Sequence, residues 1–210
     1  MRKIYLLALV LLFITIKGNS MEDANKTVAK NANEVCPIKI SEEAPSAVLN
    51  TIEGRAINIK DVIKGEKAIL IFYRGGWCPY CNLQLSELQK IENELIDLGF
   101  KIVAISMDKP EYLSATLGKY KMKYELYSDS KANASKAFGI AFTVENEYIQ
   151  KLKNFNMDLE ASSGETHHIL PVPSVFIVDD KGIIQFEYVN PNYKIRINSK
   201  LLLEAAKIIQ

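Results

Sequence analysis

FYRGGWCPYC, residues 72–81, joins an apolar strand to a helix through a pair of cysteines. The unbroken apolar run that leads into it, residues 68–72, predicts a strand buried on both faces of a sheet. After Cys81, leucine and isoleucine recur at helical spacing as far as Leu98, which predicts one amphipathic helix. Both cysteines therefore lie on its first turn, and Pro79 occupies an early position where its missing N–H group costs nothing.

The spacing of Cys78 and Cys81 favours redox chemistry. The amino end of a helix stabilises a thiolate, and a separation of three residues places both sulfur atoms on one face of the helix. Two such thiols can form a readily reduced disulfide. We expect Cys78 to be the attacking thiol, because it lies nearest the exposed strand-to-helix turn, and Cys81, one turn deeper, to be the resolving thiol.

Other uses of a cysteine pair fit the sequence less well. A zinc site needs further ligands, and only Cys36, His167 and His168 remain to supply them. Haem attachment needs a histidine where Asn82 stands. A structural disulfide would close a very small loop and add little stability, but a non-catalytic binding module locked by such a bond remains the alternative of another class. No metal or organic cofactor is predicted.

Two roles stay open for His167 and His168, and two for Cys36. The histidines could act as a base or a cation near the thiols, or could be solvated or capping residues of a loop. Cys36 could be an unpaired thiol or a partner of the other cysteines. Because no motif surrounds Cys36, we expect it to be dispensable for turnover.

The amino-terminal end predicts export. Residues 1–20 combine a basic start, a short apolar run and a small polar end, the pattern of a secretory signal peptide, so the protein is expected to be secreted or periplasmic. The alternative is an uncleaved membrane anchor. Without this segment, 23 basic residues face 25 acidic ones, which favours neither nucleic acid nor stable membrane association. Residues 21–40 are predicted to be a flexible leader before one domain, residues 41–210.

Along the domain, apolar runs typical of strands alternate with helical patterns, which predicts an α/β protein with a parallel sheet core. A hairpin near residues 175–189 adds an antiparallel pair. We therefore predict three layers, with a mixed central sheet between helices. Residues 142–170 have weak periodicity and are interpreted as an insertion with one helix and a loop.

Residues 77–81, WCPYC, at the junction of a strand and a helix, resemble the active site of the thioredoxin superfamily. Residues 171–177, PVPSVFI, resemble the proline loop that packs beside that site. The resemblance implies a thioredoxin-like fold, a cis peptide bond before Pro173, and a shielding or docking role for Trp77 and Tyr80.

A closer resemblance is to the peroxiredoxin-like branch of the alkyl hydroperoxide reductase and thiol-specific antioxidant family. It rests on residues 72–82 together with VFIVD at residues 175–179 and YVNPNYKIR at residues 188–196. This likeness implies that Cys81 is the peroxidatic cysteine. Cys78 then stands where the family has threonine or serine, and Arg74 where it has proline.

The two resemblances imply opposite roles for the same two cysteines. The family's peroxide-activating arginine would fall near Pro173, so Arg74 or Arg196 is the candidate to replace it. The favoured function is an exported, antioxidant-type thiol-disulfide oxidoreductase; the alternative is a thiol-dependent peroxidase. Its expected partners are protein or small-molecule thiols and disulfides, hydroperoxides in the alternative, and a redox partner protein.

Overall fold

The computed structural model describes residues 28–113 and 123–209. The predicted signal peptide lies outside these residues, as does most of the helix predicted to begin at Pro110, whose first turn, residues 110–113, is helical as expected. Within the described ranges, no helix has the length and apolar character needed to cross a membrane.

A seven-stranded mixed sheet forms the centre of the protein, in the order β2-β1-β5-β4-β3-β8-β9. A separate two-stranded sheet pairs β6 with β7. The strands are β1 (Val48–Asn50), β2 (Ala56–Asn58), β3 (Lys67–Tyr73), β4 (Phe100–Ser106), β5 (Glu125–Ser128), β6 (Ala141–Thr143), β7 (Ile169–Pro171), β8 (Ser174–Val178) and β9 (Ile184–Val189).

The central strand β3 carries the sequence KAILIFY, and all but its first residue are buried. It runs parallel to β4 and antiparallel to β8, so that Phe72 lies between Ile105 and Ser174. Strand β5 continues the parallel part of the sheet beyond β4. The carboxyl ends of β3, β4 and β5 therefore meet at one edge, where open parallel sheets form their binding sites.

Helices and loops cover both faces of this sheet, and apolar side chains fill two cores between the layers. The helices are α1 (Ile59–Val62), α2 (Pro79–Gln89), α3 (Glu92–Asp97), α4 (Asn133–Ala137), α5 (Asn146–Asn154), α6 (Leu159–Ser163) and α7 (Ser199–Ile208). The predicted three-layer α/β architecture is confirmed.

The single helix predicted after Cys81 is two helices, α2 and α3. The chain tightens at the end of α2, where Lys90 N–H donates to Glu87 O at 3.2 Å and Ile91 N–H to Leu88 O at 3.1 Å. Ile91 leaves the α-helical conformation, with φ −114° and ψ 2°, and buries its side chain. Periodicity continues across this break because both helices pack on the same core.

The segment predicted as one helix and a loop, residues 142–170, has more regular structure. It contains helices α5 and α6 between the paired strands β6 and β7. The side chain of Asp158 caps α6 by accepting from Glu160 N–H at 2.9 Å and Ala161 N–H at 3.1 Å. Gly164, with φ 76°, ends the helix. These elements enclose a third, smaller core.

The described part of the predicted leader, from Val28 onward, lies against the domain. Ala29 N–H donates to Ala141 O at 2.9 Å, and Thr143 N–H donates to Ala29 O at 2.9 Å. Further along, Ile38 is buried. The earlier part of the leader is outside the described residues, and the dispensability of the segment stays a prediction.

Candidate active site

The cysteine pair lies where the sequence predicts it, between strand β3 and helix α2. Cys78 is the N-cap residue of α2, and Pro79 occupies the first turn. The N–H groups of Cys81 and Asn82 both donate to Cys78 O at 3.1 Å. The two cysteines therefore occupy the positively polarised end of a three-turn helix.

Gly75 gives the turn between the strand and the helix its shape. Its φ of 151° is a conformation that residues with a side chain rarely adopt. A Cβ atom there would overlap the Trp77 ring and approach Asp108 Oδ1 to 2.7 Å. Because Gly75 has no Cβ atom, the Trp77 indole and the Asp108 carboxylate can pack directly against the backbone of this turn.

The prediction that Cys78 is exposed is wrong. Its residue surface is 1% exposed and that of Cys81 is 0%. Helix α2 presents both thiols to the core beside Leu85, whereas Leu83 is 60% exposed on the other side of the helix. Spacing places the sulfur atoms on one face, and here that face is the buried one.

Electrostatics nevertheless separates the two thiols. Hydrogen bonding to the Cys81 thiol lowers the pKa of Cys78 to about 6, with help from the positive charge of Arg74 and against the effect of burial. Burial raises the pKa of Cys81, as does the Cys78 sulfur beside it. Cys78 is therefore the thiolate of the pair at neutral pH, and Cys81 is the thiol that donates to it.

Arg196 comes to the pair from a distant part of the chain, the loop before α7. Its Nη2 donates to Cys81 Sγ at 3.3 Å, and its Nη1 donates to Gln84 Oε1 at 3.2 Å. The positive charge favours a thiolate at either cysteine. Of the two arginines considered as replacements for the family arginine, Arg196 is the one whose guanidinium donates to a cysteine sulfur.

Arg74, the other candidate, is enclosed by aromatic rings. It is 2% exposed, and its guanidinium carbon lies 5.0 Å from the ring centre of Trp77, 5.5 Å from that of Tyr148 and 4.2 Å from that of Tyr193. Its Nη2 donates to the Tyr148 hydroxyl at 3.0 Å. Such contacts hold a buried cation without neutralising it, so its charge still acts on Cys78.

Asp108 is a site residue that the sequence analysis missed. Its Oδ2 accepts from Gly76 N–H at 2.6 Å and from the Ser106 hydroxyl at 3.0 Å. Burial raises the pKa of this carboxyl to about 6, and the nearby Cys78 sulfur raises it further against these hydrogen bonds. A polar residue two positions after the buried strand β4 was the available signal, because that strand ends beside β3.

Unpartnered polar atoms cluster around the cysteines. Among the described residues, six buried side-chain oxygen or nitrogen atoms have no hydrogen-bond partner. Five of them belong to the site or the residues next to it: Tyr73 Oη, Arg74 Nε, Asn82 Oδ1, Asp108 Oδ1 and Arg196 Nε. Buried polar groups are normally satisfied, and exceptions concentrate where a protein binds or reacts.

The other predicted site residues lie at different distances from the chemistry. Trp77 is half-buried against Arg74, Pro79 is exposed, and Tyr80 is half-buried with its ring edge-on to Tyr193 at 5.7 Å. A docking role for these residues stays a prediction.

The implied cis bond before Pro173 is wrong, because every described peptide bond is trans. Here the chain runs extended from β7 to β8. Val172 N–H donates to Ile140 O at 2.8 Å, and Val172 O accepts from the Ser174 hydroxyl at 2.7 Å.

Both histidines are engaged by hydrogen bonds. His167 Nδ1 accepts from Ile169 N–H at 2.9 Å, so its Nε2 donates to Ser130 O at 2.7 Å. His168 Nε2 lies 2.6 Å from Glu160 Oε1. Both histidines line a small cavity together with Arg74. Their hydrogen bonds hold the loop before β7 in place.

Cys36 is exposed and unpaired, and the described residues contain no group of three or more metal-ligating side chains. The structure therefore brings only Cys78 and Cys81 together among the three cysteines.

Comparison with known proteins finds peroxiredoxins and thiol-disulfide oxidoreductases that are similar in sequence to this chain. The model of the AhpC/TSA family matches residues 40–187. Peroxiredoxin Bcp of Escherichia coli strain K12 is 31% identical over 104 residues, which cover 50% of this chain and 66% of that protein. Thiol-disulfide oxidoreductase ResA of Halalkalibacterium halodurans is 26% identical over 103 residues, 49% of this chain and 57% of that protein. The chain thus spans less than two thirds of either relative.

Solved structures share the fold. A peroxiredoxin-like protein from Aquifex aeolicus superposes with a TM-score of 0.65 at 18% identity, over 88% of this chain and 98% of that one. Reduced Prx3 of Vibrio vulnificus in complex with hydrogen peroxide superposes with a TM-score of 0.66 at 16% identity, over 80% and 99%. The expected thioredoxin-like fold is therefore confirmed.

Proposed function

The chain belongs to the AhpC/TSA family, and we propose that it is a thiol oxidoreductase whose Cys78 and Cys81 alternate between dithiol and disulfide. The observation that carries the proposal is the position of two buried thiols on the first turn of α2, with the Arg196 guanidinium on Cys81 Sγ. The pKa of Cys78 is lowered to about 6, first by the Cys81 thiol and then by Arg74, whereas burial raises the pKa of Cys81. A two-step exchange needs one thiolate that attacks the substrate and a second, protonated thiol that later resolves the mixed disulfide.

In the favoured reaction, the Cys78 thiolate attacks one sulfur of a disulfide substrate. The substrate S–S bond breaks, a mixed disulfide forms at Cys78, and the leaving thiolate takes up a proton. Cys81 then gives up its proton, facing the positive charge of Arg196, and attacks Cys78 Sγ. The second substrate thiol leaves, two electrons have passed to the substrate, and a thiol partner protein must reduce the new Cys78–Cys81 disulfide.

The burial of Cys78 limits what can reach it. A residue that is 1% exposed cannot meet the disulfide of another folded protein unless its turn moves outward. Trp77, in the same turn, packs against the core that holds the cysteines and lies beside Arg74 and Gly75. A disulfide substrate, whether small or part of a protein, therefore requires displacement of this turn.

Peroxide reduction at Cys81 is a second candidate, because Arg196 donates to Cys81 Sγ at 3.3 Å. A Cys81 thiolate would attack the O–O bond, retain one oxygen as sulfenic acid and release an alcohol or water. Cys78 would then attack that sulfur and release water, which gives the same disulfide. The burial-raised pKa of Cys81 disfavours this order unless its proton first passes to Cys78.

Single-cysteine variants distinguish the two schemes. We expect Cys81→Ser, with a small aromatic disulfide, to accumulate a mixed disulfide at Cys78 that mass spectrometry detects after proteolysis. Cys78→Ser should be inert toward the same reagent. Cys36→Ser is the matched control and should retain turnover within a few-fold.

The contrary outcome concerns peroxide. If Cys78→Ser forms sulfenic acid at Cys81 rapidly with a hydroperoxide, while Cys81→Ser forms no adduct at Cys78, the peroxidase scheme replaces the disulfide scheme. If neither variant reacts and the native pair has a reduction potential far below the glutathione range, the cysteines form an inert structural bond.

Export is part of the proposal. Residues 1–20 support it by their basic start and apolar run, and the mass of the mature protein would test it. In a secretory or periplasmic compartment, the pair would serve in an antioxidant role and depend on a membrane or soluble thiol partner for its electrons.

A further inference from the structure

A groove of about 250 Å³ opens beside the cysteine site and has Arg74 as part of its wall. We call it the Arg74 groove. Aromatic and proline residues supply much of the remaining wall: Phe142, Tyr148, Pro171, Pro173, Pro191 and Tyr193. Five parts of the chain meet here: the segment around Ala32, the turn with Arg74, β6 with the start of α5, the end of β7, and the loop after β9.

The guanidinium of Arg74 has unused capacity for a ligand. The residue is 2% exposed, its Nε is buried without a partner, and Nη2 donates to the Tyr148 hydroxyl at 3.0 Å. None of the ion pairs among the described residues includes Arg74; its other neighbours are the faces of aromatic rings. Its charge acts on the Cys78 thiolate, but no carboxylate of the described residues pairs with it, and a carboxylate is the planar anion that a guanidinium binds best.

From this geometry we propose that the Arg74 groove binds a small molecule that combines an apolar body with one carboxylate, and that the carboxylate pairs with Arg74. The walls favour an aromatic or short aliphatic body, which would pack against Tyr148 and Tyr193. The volume lies just below that of sites for drug-sized ligands, roughly 300 Å³ and above, so the ligand is correspondingly small.

Glu145 sets the orientation of this ligand. It also lines the groove, but it is exposed to solvent, whereas Arg74 is buried. A ligand carboxylate is repelled by Glu145 and attracted by Arg74, so the charged group lies at the buried wall and the apolar body extends toward the opening.

A ligand at Arg74 changes the ionisation of Cys78. Arg74 is one of the charges that lower the pKa of Cys78, so a carboxylate that neutralises Arg74 raises it. The other groups that face Cys78 are Cys81 on α2, Arg196 from the loop before α7 and Asp108 after β4. Binding itself is independent of the proposed activity; only this effect on Cys78 rests on the proposed function.

The chain has a built-in reporter for the test. Trp77 is its single tryptophan, and its ring contacts the Arg74 guanidinium at 5.0 Å. The reduced full chain is titrated with phenylpropionate, phenylpropanamide and phenylpropylamine, three probes that share a body and differ in charge. We expect tryptophan fluorescence to change with phenylpropionate and the amide to bind about tenfold more weakly, since it lacks the charged partner. The amine should not bind.

Two variants locate the binding. Arg74→Gln should weaken phenylpropionate about tenfold and leave the amide unchanged, and Ala32→Phe should block both probes by filling the groove without touching Arg74. Lys60→Gln, in a separate concavity beside Glu43, is the matched loss of a positive charge and should bind normally. Circular dichroism identifies any variant that fails to fold, and in that case the three probes on the unmodified chain decide the question.

Equal binding of acid and amide would overturn the proposal and leave an apolar groove without charge recognition. Absence of binding by all three probes would overturn it as well. The effect on Cys78 is measured as the pH midpoint of its alkylation, which should rise when phenylpropionate is bound. If phenylpropionate binds as expected but the pH midpoint of Cys78 alkylation does not change, the Arg74 groove is a binding site without an effect on Cys78. That outcome would refute only the link to the proposed function.

Discussion

Two buried aspartates follow neighbouring parallel strands, and their surroundings differ. Asp129, after β5, uses both oxygens: Oδ1 accepts from Ala134 N–H at 2.9 Å, and Oδ2 accepts from the N–H and hydroxyl of Ser135 at 2.8 Å and 2.6 Å. Asp108, after β4, leaves Oδ1 without a partner beside the cysteines. Burial raises the pKa of each to about 6.

A raised pKa alone therefore does not identify a functional carboxylate. Asp129 is satisfied by the first turn of α4 and acts as a structural cap. Asp108 has the same pKa but keeps hydrogen-bonding capacity next to a thiolate, which structural aspartates do not retain. The same substitution at both positions should therefore have opposite consequences.

The largest expected effect is at Asp129. Asp129→Asn places an amide N–H₂ group against backbone or hydroxyl donors whichever way the side chain turns, because both oxygens already accept. We expect a loss of about 3 kcal/mol in the free energy of unfolding, measured with urea under reducing conditions.

Asp158→Asn is the matched control for Asp129→Asn. Asp158 is exposed and caps α6 through Oδ1 alone, an acceptor that asparagine keeps, so the substitution should cost much less here than at Asp129. Equal costs at the two positions would contradict the view that full satisfaction makes Asp129 structural.

The next effect is the pH dependence of stability at Asp108. Its folded pKa of about 6 is above the usual value of 3.8, so between these values the folded state binds more protons than the unfolded state. The contribution of Asp108 to the free energy of unfolding is therefore greatest below about pH 4, and it declines as the pH rises through 6. Asp108→Asn removes that decline.

We therefore expect Asp108→Asn to match the unmodified protein near pH 4 and to exceed it by up to about 2 kcal/mol near pH 7. Urea unfolding at a series of pH values measures the difference. The opposite result would be a variant that loses stability relative to the unmodified protein as the pH rises from 4 to neutral. It would show that the fold stabilises Asp108 as an anion, and the distinction from Asp129 would no longer hold.

The smallest effect concerns Arg196. Its charge lowers the pKa of Cys78 but is the last of the contributions, after Cys81 and Arg74. Arg196→Gln should raise the pH midpoint of Cys78 alkylation by less than about one unit. Arg55→Gln, at a side chain that is 79% exposed, is the control and should leave the midpoint unchanged. A larger shift for Arg196 than for Arg74→Gln would reverse the order of the two arginines.

Local features of the site could be predicted from the sequence because neighbouring residues determine them. The apolar run of β3, the glycine turn, and the helix position of Cys78, Pro79 and Cys81 all follow from spacing within about fifteen residues. The alternation of strands and helices likewise predicted the layers. The break at Ile91 could not be predicted, because both helices keep their apolar residues toward one core.

Features that depend on distant contacts could not be predicted from local patterns. Whether Cys78 is exposed depends on how α2 packs on a core that distant strands and helices also build. Arg196 was named as a candidate, but its contact with Cys81 spans 115 residues of sequence. Asp108 follows an ordinary buried strand and becomes a site residue only because that strand lies next to β3.

The contacts of the amino-terminal segment also constrain the order in which the chain can mature during synthesis. Ala29 bonds to Ala141 and Thr143, and the carbonyl of Cys36 lies where a side chain at Gly139 would be. The ribosome makes these partners more than a hundred residues after Ala29. This segment therefore leaves the ribosome early but can reach its final position only after β6 has been made.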